Sequence, residues 1–220
     1  MEKYLPILKH CPLFYAIEEQ DILGLLDCLK ASNKEYDKDD LIYCAGDEIS
    51  SVGIVLTGAI HIENDDYWGN RTIISRISPG EMFGESFSFT EDRELSVSIT
   101  TAEPTKIILI DYMKIIRVCS SSCKFHTRLI QNILKNLACK NIALVSKMEF
   151  ITQRTTREKL LSYLSTCARN KKSASFTIPF NRQELADFLS VERSAMSAEL
   201  GRMRNEGLVV FNKNQFNLCK

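Results

Sequence analysis

The apolar residues of this chain change their period part-way along, and that change constrains the fold more than any other feature. Between Asp39 and Asp111, Val52, Ile54, Leu56, Ile60 and Ile62 alternate with smaller or polar residues. Glycines at 46, 53, 58, 69, 80 and 84 punctuate the run. Short strands with a turn every ~8–12 residues predict an antiparallel barrel or sandwich. Asp66–Asn70 reads as a hairpin tip, Pro79–Gly80 as a second turn, and Lys106–Ile110 as a closing apolar strand. From about Tyr112 to Ile151 the period becomes helical. Ile130, Leu134, Leu137, Asn141, Leu144, Met148 and Ile151 follow one another at spacings of 4, 3, 4, 3, 4 and 3. That is a coiled-coil seam, and it predicts a long helix that zips against a second copy of the chain. Asn141 suits the seam, because one buried Asn sets register and oligomer state. A second apolar row, Leu129, Ile133, Ile142 and Val145, is available for packing within the chain.

The flanks are helical too. Residues 1–35 read as helix, with Ile22, Leu25, Leu26 and Leu29 at helical spacing. Glu18, Glu19 and Asp21 lie near a helix start, where they complement its dipole. Gln153–Arg154–Thr155–Thr156 has no periodicity and reads as a hinge. Thr156 is the expected cap of a new helix, with Leu160, Leu161 and Leu164 inward, closing at Asn170–Ser173 before a short strand, Ser175–Phe180.

The segment from Asn181 to Val210 then reads as two helices around a very short break. Asn181 is the N-cap of the first and Glu184 returns the bond. Leu185, Ala186 and Leu189 form its inner face. Ser190–Val191–Glu192 is the turn, and Met196, Leu200 and Met203 give the second helix its inner stripe, with Gly207 ending it. Apolar faces that converge across so short a turn define a helix-turn-helix. Its second helix leaves Arg193, Ser194, Ser197 and Ala198 on the outer face at the N-terminal end, the end that enters the DNA major groove in such motifs. Arg193 can grip guanine in a fork, the serines can contact bases or phosphates, and Ala198 can offer a methyl to thymine. Glu192 stands at the same DNA-facing end. Arg182, Gln183 and the first helix N-terminus are expected on the phosphate backbone, with Arg202, Arg204 and Lys213 adding general attraction. Leu208–Phe211 and Gln215–Leu218, around Asn212–Lys213–Asn214, read as the two strands of a wing.

Charge supports this. The whole chain balances at 28 basic and 28 acidic residues. From Arg154 onward, however, basic residues outnumber acidic ones about two to one, which marks that part for a polyanion. No apolar run approaches the ~20 residues of a membrane span, and the start lacks a secretory pattern, so no membrane contact and a cytoplasmic location are expected. Eight cysteines include no C-x-x-C pair, and three histidines stand far apart, so no metal site is expected. Cys119 and Cys123, one helical turn apart, and Cys139 leave a thiol-based redox sensor as an alternative. No Ser-His-Asp set, Gly-rich phosphate loop or paired carboxylates point to an enzyme.

The order helix, β-roll, long helix, winged helix-turn-helix resembles the Crp/Fnr family of bacterial transcription regulators over nearly the whole chain. The resemblance rests on LIYCAGDEISSVGIVLTGAIHI, ISPGEMFGES, RTTREKLLSYL and RQELADFLSVERSAMSAELGRM. It implies an α+β protein with an N-terminal antiparallel β-roll (a double-stranded β-helix of the cyclic-nucleotide-binding type) at 1–112, a dimerisation helix at 113–152 and a winged helix-turn-helix at 153–220. It implies a homodimer on double-stranded DNA with a near-palindromic operator, and RNA polymerase as a further partner. In the family's phosphate cassette a Glu takes the ribose hydroxyl and an Arg the phosphate. Gly84, Glu85, Ser86 and Ser96 match. Leu95 occupies the Arg position, and Arg93, two residues earlier, is placed by the strand period on Leu95's side. Without that cation a cyclic phosphate lacks its charged hydrogen bonds, so the effector is expected to be a small molecule other than cyclic AMP, or none. The Fnr branch's grouped N-terminal cysteines are not matched by Cys11 and Cys28, and no cofactor is assigned. In the recognition helix the family's Arg-Glu-x-x-x-Arg is met only by Arg193, with Ser194 and Ala198 replacing the others, so the operator is not inherited. A regulatory module acting mainly on a protein partner is the alternative from another class.

Overall fold

The computed structural model describes residues 2–69, 71–117 and 125–219. The chain divides into two compact units, one running to Lys140 and one starting at Asn141, so the boundary falls inside a helix.

In the first unit, 3-10 turns at Glu2–Tyr4 and Pro12–Phe14 flank α1 (Leu5–Leu8) and α2 (Glu19–Cys28). Strands follow: β1 (Ser32–Tyr36), β2 (Leu41–Tyr43), β3 (Ser51–Thr57), β4 (Ile60–Asp65), β5 (Arg71–Ile77) and β6 (Met82–Phe83). A single turn of helix, α3 (Glu85–Ser88), precedes β7 (Ser98–Thr101), β8 (Thr105–Asp111) and α4 (Tyr112–Ile116). The strands form two antiparallel four-stranded sheets, ordered β1-β8-β3-β6 and β2-β7-β4-β5. Val55, Phe83 and Ile107 from the first sheet meet Ile60, Ile77 and Ile99 from the second in one cluster, which makes the roll interior. On the other face of the first sheet, Val52, Ile54, Leu56, Ile108 and Ile110 pack on Leu13, Phe14, Ile22, Leu25 and Leu29 of the N-terminal helices. The central strand β3 is thus buried on both faces, and each of these side chains contributes roughly 1.5–3 kcal/mol on burial.

The expected helix over 1–35 ends sooner than its full span. Ser32–Tyr36 is an edge strand paired with β8, and its pattern of exposed Asn33, Lys34 and Glu35 hides it from a search for apolar alternation. The helical run predicted from Tyr112 to Ile151 is also broken. α4 closes at Arg117, whose backbone is extended, and the long helix α5 begins at His126 and runs to Ile151. The hairpin between β4 and β5 and the turn at Pro79–Gly80 fall where the sequence places them.

The second unit takes the last turns of α5, then α6 (Thr156–Lys171), β9 (Ser175–Thr177), α7 (Arg182–Leu189), α8 (Arg193–Asn205), β10 (Val209–Asn212) and β11 (Gln215–Leu218). Thr155, not Thr156, caps α6: its hydroxyl accepts from the Glu158 N–H at 3.2 Å and the Glu158 carboxylate accepts from the Thr155 N–H at 3.1 Å. The wing gains a third strand, because β9 pairs with β11 in a sheet ordered β10-β11-β9. Leu160, Leu164, Leu185, Ala186, Leu189, Met196, Leu200 and Met203 are all fully buried, so α6, α7 and α8 converge on one core.

Candidate functional site

The two-helix segment is shaped by side chains that satisfy backbone ends. Asn181 Oδ1 accepts from Glu184 N at 3.0 Å, and Glu184 Oε2 accepts from Asn181 N at 2.9 Å. That is the reciprocal cap expected from the sequence. α7 ends at Ser190, held in the left-handed region at φ 52°, where a glycine would carry less strain. Lys159 on α6 steadies this turn by donating to the carbonyls of Leu189 and Ser190, both at 3.2 Å. Glu192 is the N-cap of α8. Its carboxylate accepts from Ser194 N at 2.8 Å and Ala195 N at 2.7 Å, and it also takes the Ser194 hydroxyl. Those hydrogen bonds, the Ser194 hydroxyl foremost, hold its pKa below the usual carboxylate range.

With α8's inner stripe buried, Arg193, Ser194, Ser197 and Ala198 are exposed together at its start. Among the described residues Arg193 makes no salt bridge. The acids farther along α8 are engaged: Glu199 pairs with Arg157 at 3.3 Å and Arg202 at 2.9 Å, and Glu206 pairs with Arg157. Gln183 is exposed and donates to Asp187 at 2.8 Å. Arg182, expected on a phosphate, packs on the wing. Its guanidinium lies over the wing rings, 4.6 Å from the centre of Phe211 and 5.1 Å from Phe216, and burial lowers its pKa. Arg204 lies 5.4 Å from the same Phe211 ring. The aromatic residues of the wing hold both arginines, and the pairing of Arg182 with Phe211 and Phe216 has no local signal in the sequence.

In the roll the cassette residues have separate partners. Gly84 has φ +80°, and a Cβ there would come within 2.7 Å of Ile49 and 3.0 Å of the Ser51 carbonyl, so glycine is required. Glu85 begins α3 and is 1 % exposed. Its Oε1 accepts from Asn136 Nδ2 at 3.0 Å and pairs with Lys140 Nζ at 2.6 Å, both from α5, while Lys140 also donates to the Met82 carbonyl at 2.5 Å. Ser86 and Ser96 are exposed. Leu95 is buried among Ile49 and Val97. Arg93 corrects the strand-based expectation: it sits at φ 49° in a connecting segment, pairs with Glu48 at 2.7 Å and leans over Tyr112, 5.7 Å from the ring centre.

Along α5 the proposed seam residues Ile130, Leu134, Asn141, Leu144 and Met148 are exposed, while Leu137 is partly buried against the first unit's core. Of the second row, Leu129 and Ile133 are buried, but Ile142 is 68 % and Val145 53 % exposed, so the home-packing expectation fails for the C-terminal half. Cys139 is exposed, and Cys119 and Cys123 lie outside the described residues. Among the described residues no group of His, Cys, Asp or Glu is placed to hold a metal ion, and no helix is long and apolar enough to cross a membrane.

Residues 33–122 match the cyclic nucleotide-binding domain and residues 158–219 the Crp-like helix-turn-helix domain. A roll of that class joined to that helix-turn-helix makes the chain a DNA-binding transcription regulator. It belongs to the Crp/Fnr family. It is 22 % identical over 206 residues to the cyclic AMP receptor protein of Thermus thermophilus, covering 92 % of this chain and 89 % of that one. Its fold is similar to that of the c-di-GMP-responsive global regulator CLP of Xanthomonas campestris, with a TM-score of 0.73 at 16 % identity over 90 % of this chain and 99 % of the other. It is also similar to FixK2 of Bradyrhizobium japonicum, with a TM-score of 0.67 at 18 % identity over 86 % and 93 % of the two chains.

Proposed function

We propose that the chain works in the cytoplasm as a homodimer that reads a near-palindromic operator, its two recognition helices about one turn of DNA apart. The supporting observation is the start of α8. Arg193, Ser197 and Ala198 are exposed there, and the neighbouring carboxylates are already engaged within the protein. Arg193 takes a guanine edge in a fork, Ser197 is the freer of the two hydroxyls, Ala198 meets a thymine methyl, and Glu192 holds the helix start in shape rather than contacting a base. Gln183 faces phosphate, and Arg202 and Lys213 add general attraction. Residues 113–152 serve as the dimer helix through Ile130, Leu134, Leu137, Asn141, Leu144 and Met148, widened by Ile142 and Val145. The chain carries no catalytic step, and RNA polymerase is the partner on which such a regulator acts.

The roll answers to something other than cyclic AMP. Glu85 is tied to α5, Leu95 is part of the core, and Arg93 is paired with Glu48. The test is selection of duplexes from a random pool, with and without reductant. A near-palindromic sequence should be enriched, and sedimentation should give dimers. Single chains together with no enrichment would end this reading, and micromolar binding of cyclic AMP in a calorimeter would end its last part.

A further inference from the structure

The last turns of α5 carry a lysine with a position unlike that of its neighbours. Lys147 is 8 % exposed, and its ammonium sits 4.2 Å from the centre of the Phe188 ring on α7. That ring stacks on Phe180 at 4.7 Å and tilts against Tyr163 at 5.5 Å, and Tyr163 in turn meets Phe150 edge-on at 5.7 Å. One row of rings therefore joins α5, α6 and α7. Phe188 stands two residues before Ser190, the turn that leads into α8.

We propose that Lys147 is a positioning residue for DNA binding: its ammonium on the Phe188 ring fixes the pose of the two-helix segment against the end of α5. Keeping an ammonium here carries a desolvation cost, and burial lowers the Lys147 pKa to about 8. What a cation adds is direction, because attraction to a ring is strong only over its face. Lys159 also holds the carbonyls of Leu189 and Ser190, so the end of α7 is gripped twice, and α8 starts three residues beyond Ser190. The inference rests on the DNA-binding role and adds a residue that touches no DNA.

The experiment uses the full chain with Lys147→Met, Lys147→Arg and Phe188→Leu, and as probe the duplex that wild type enriches from a random pool. Lys147→Met should bind that duplex about tenfold more weakly, the size of a desolvated cation–ring contact. Its dependence of affinity on salt should be unchanged, because no phosphate contact is lost. Lys147→Arg should recover most of the affinity, and Phe188→Leu should add little on top of Lys147→Met. Amide exchange over residues 182–205 should quicken in Lys147→Met and slow again in Lys147→Arg, a readout that needs no DNA. Wild-type affinity and exchange in Lys147→Met would overturn the proposal, as would a salt slope lower by about one unit per chain. Failure of wild type to enrich any duplex would count against the DNA reading, and the exchange data would still decide on Lys147.

Discussion

The roll's cassette and the start of α8 both hold polar side chains in family-like positions, and they treat them in opposite ways. In the cassette Glu85 is bonded to Lys140 and Asn136, and Arg93 to Glu48. At α8 the carboxylates are bonded inward and Arg193 is left facing out. A charged group already satisfied by its own chain must first be released before it can bind anything else, and that release subtracts from any affinity it could supply. The same motif match therefore carries a different meaning in the two places. On the proposed reading, one holds the protein together and the other meets a partner.

The largest effect should come from breaking the internal pair. Lys140→Met would leave the Glu85 carboxylate buried beside Asn136 without its cation, lowering unfolding free energy by about 3 kcal/mol in a urea titration. Adding Glu85→Gln should restore most of that loss, because the stranded charge is gone. A Lys140→Met protein as stable as wild type would mean that Glu85 is not consumed internally, and the contrast with α8 would fall.

The seam on α5 comes next. Leu134 is 62 % exposed on the single chain, so Leu134→Glu should hardly alter folding of the roll. In a dimer the same change buries an unpaired carboxylate in the interface, and association should weaken by about 3 kcal/mol, read by sedimentation. If Leu134→Glu stays dimeric at wild-type concentrations, the exposed apolar stripe serves some other surface.

Arg193→Ala should cost about 1–3 kcal/mol on the selected duplex and relax preference at one base pair, with unfolding unchanged. Arg182→Ala is the control that sharpens the comparison. Its guanidinium lies on Phe211 and Phe216, so its loss should lower stability of the wing and weaken all duplexes alike. An Arg182→Ala change that altered base preference while Arg193→Ala did not would reverse the assignment of the two arginines.

Much of this was legible from local patterns. The Asn181–Glu184 cap, the alternation of Val52, Ile54 and Leu56, and the buried stripe of Met196, Leu200 and Met203 each depend on residues within a few positions of one another. What escaped depends on residues far apart or on backbone geometry. Glu85 meets Asn136 across 51 positions, and Arg157 meets Glu206 across 49. The strand period places Arg93 on one side of β-structure, but its positive φ takes it off that lattice. Thr155 and Thr156 are equal candidates as caps until Glu158 is seen to bond the first. Lys147 looks like one more surface lysine in a helical run until the rings of Phe188 and Tyr163 are placed beside it.

Acid should separate the two units by the smallest of these effects. All three histidines, His10, His61 and His126, precede Asn141, so the second unit has none. His61 is 2 % exposed between Arg76 and Arg71, with ring contacts of 3.2 and 2.9 Å. Burial first, then these two cations, lower its pKa from 6.5 to about 4. The unfolded chain therefore binds the proton first as pH falls, and stability present above pH 6.5 is lost progressively down to about pH 4. Between pH 7 and 5 the roll should lose about 1–2 kcal/mol through this group. His61→Gln should flatten that slope, followed by thermal unfolding of the two units at both pH values. A winged unit that lost as much stability over the same range, or a His61→Gln roll with an unchanged slope, would show that the acid sensitivity has another origin.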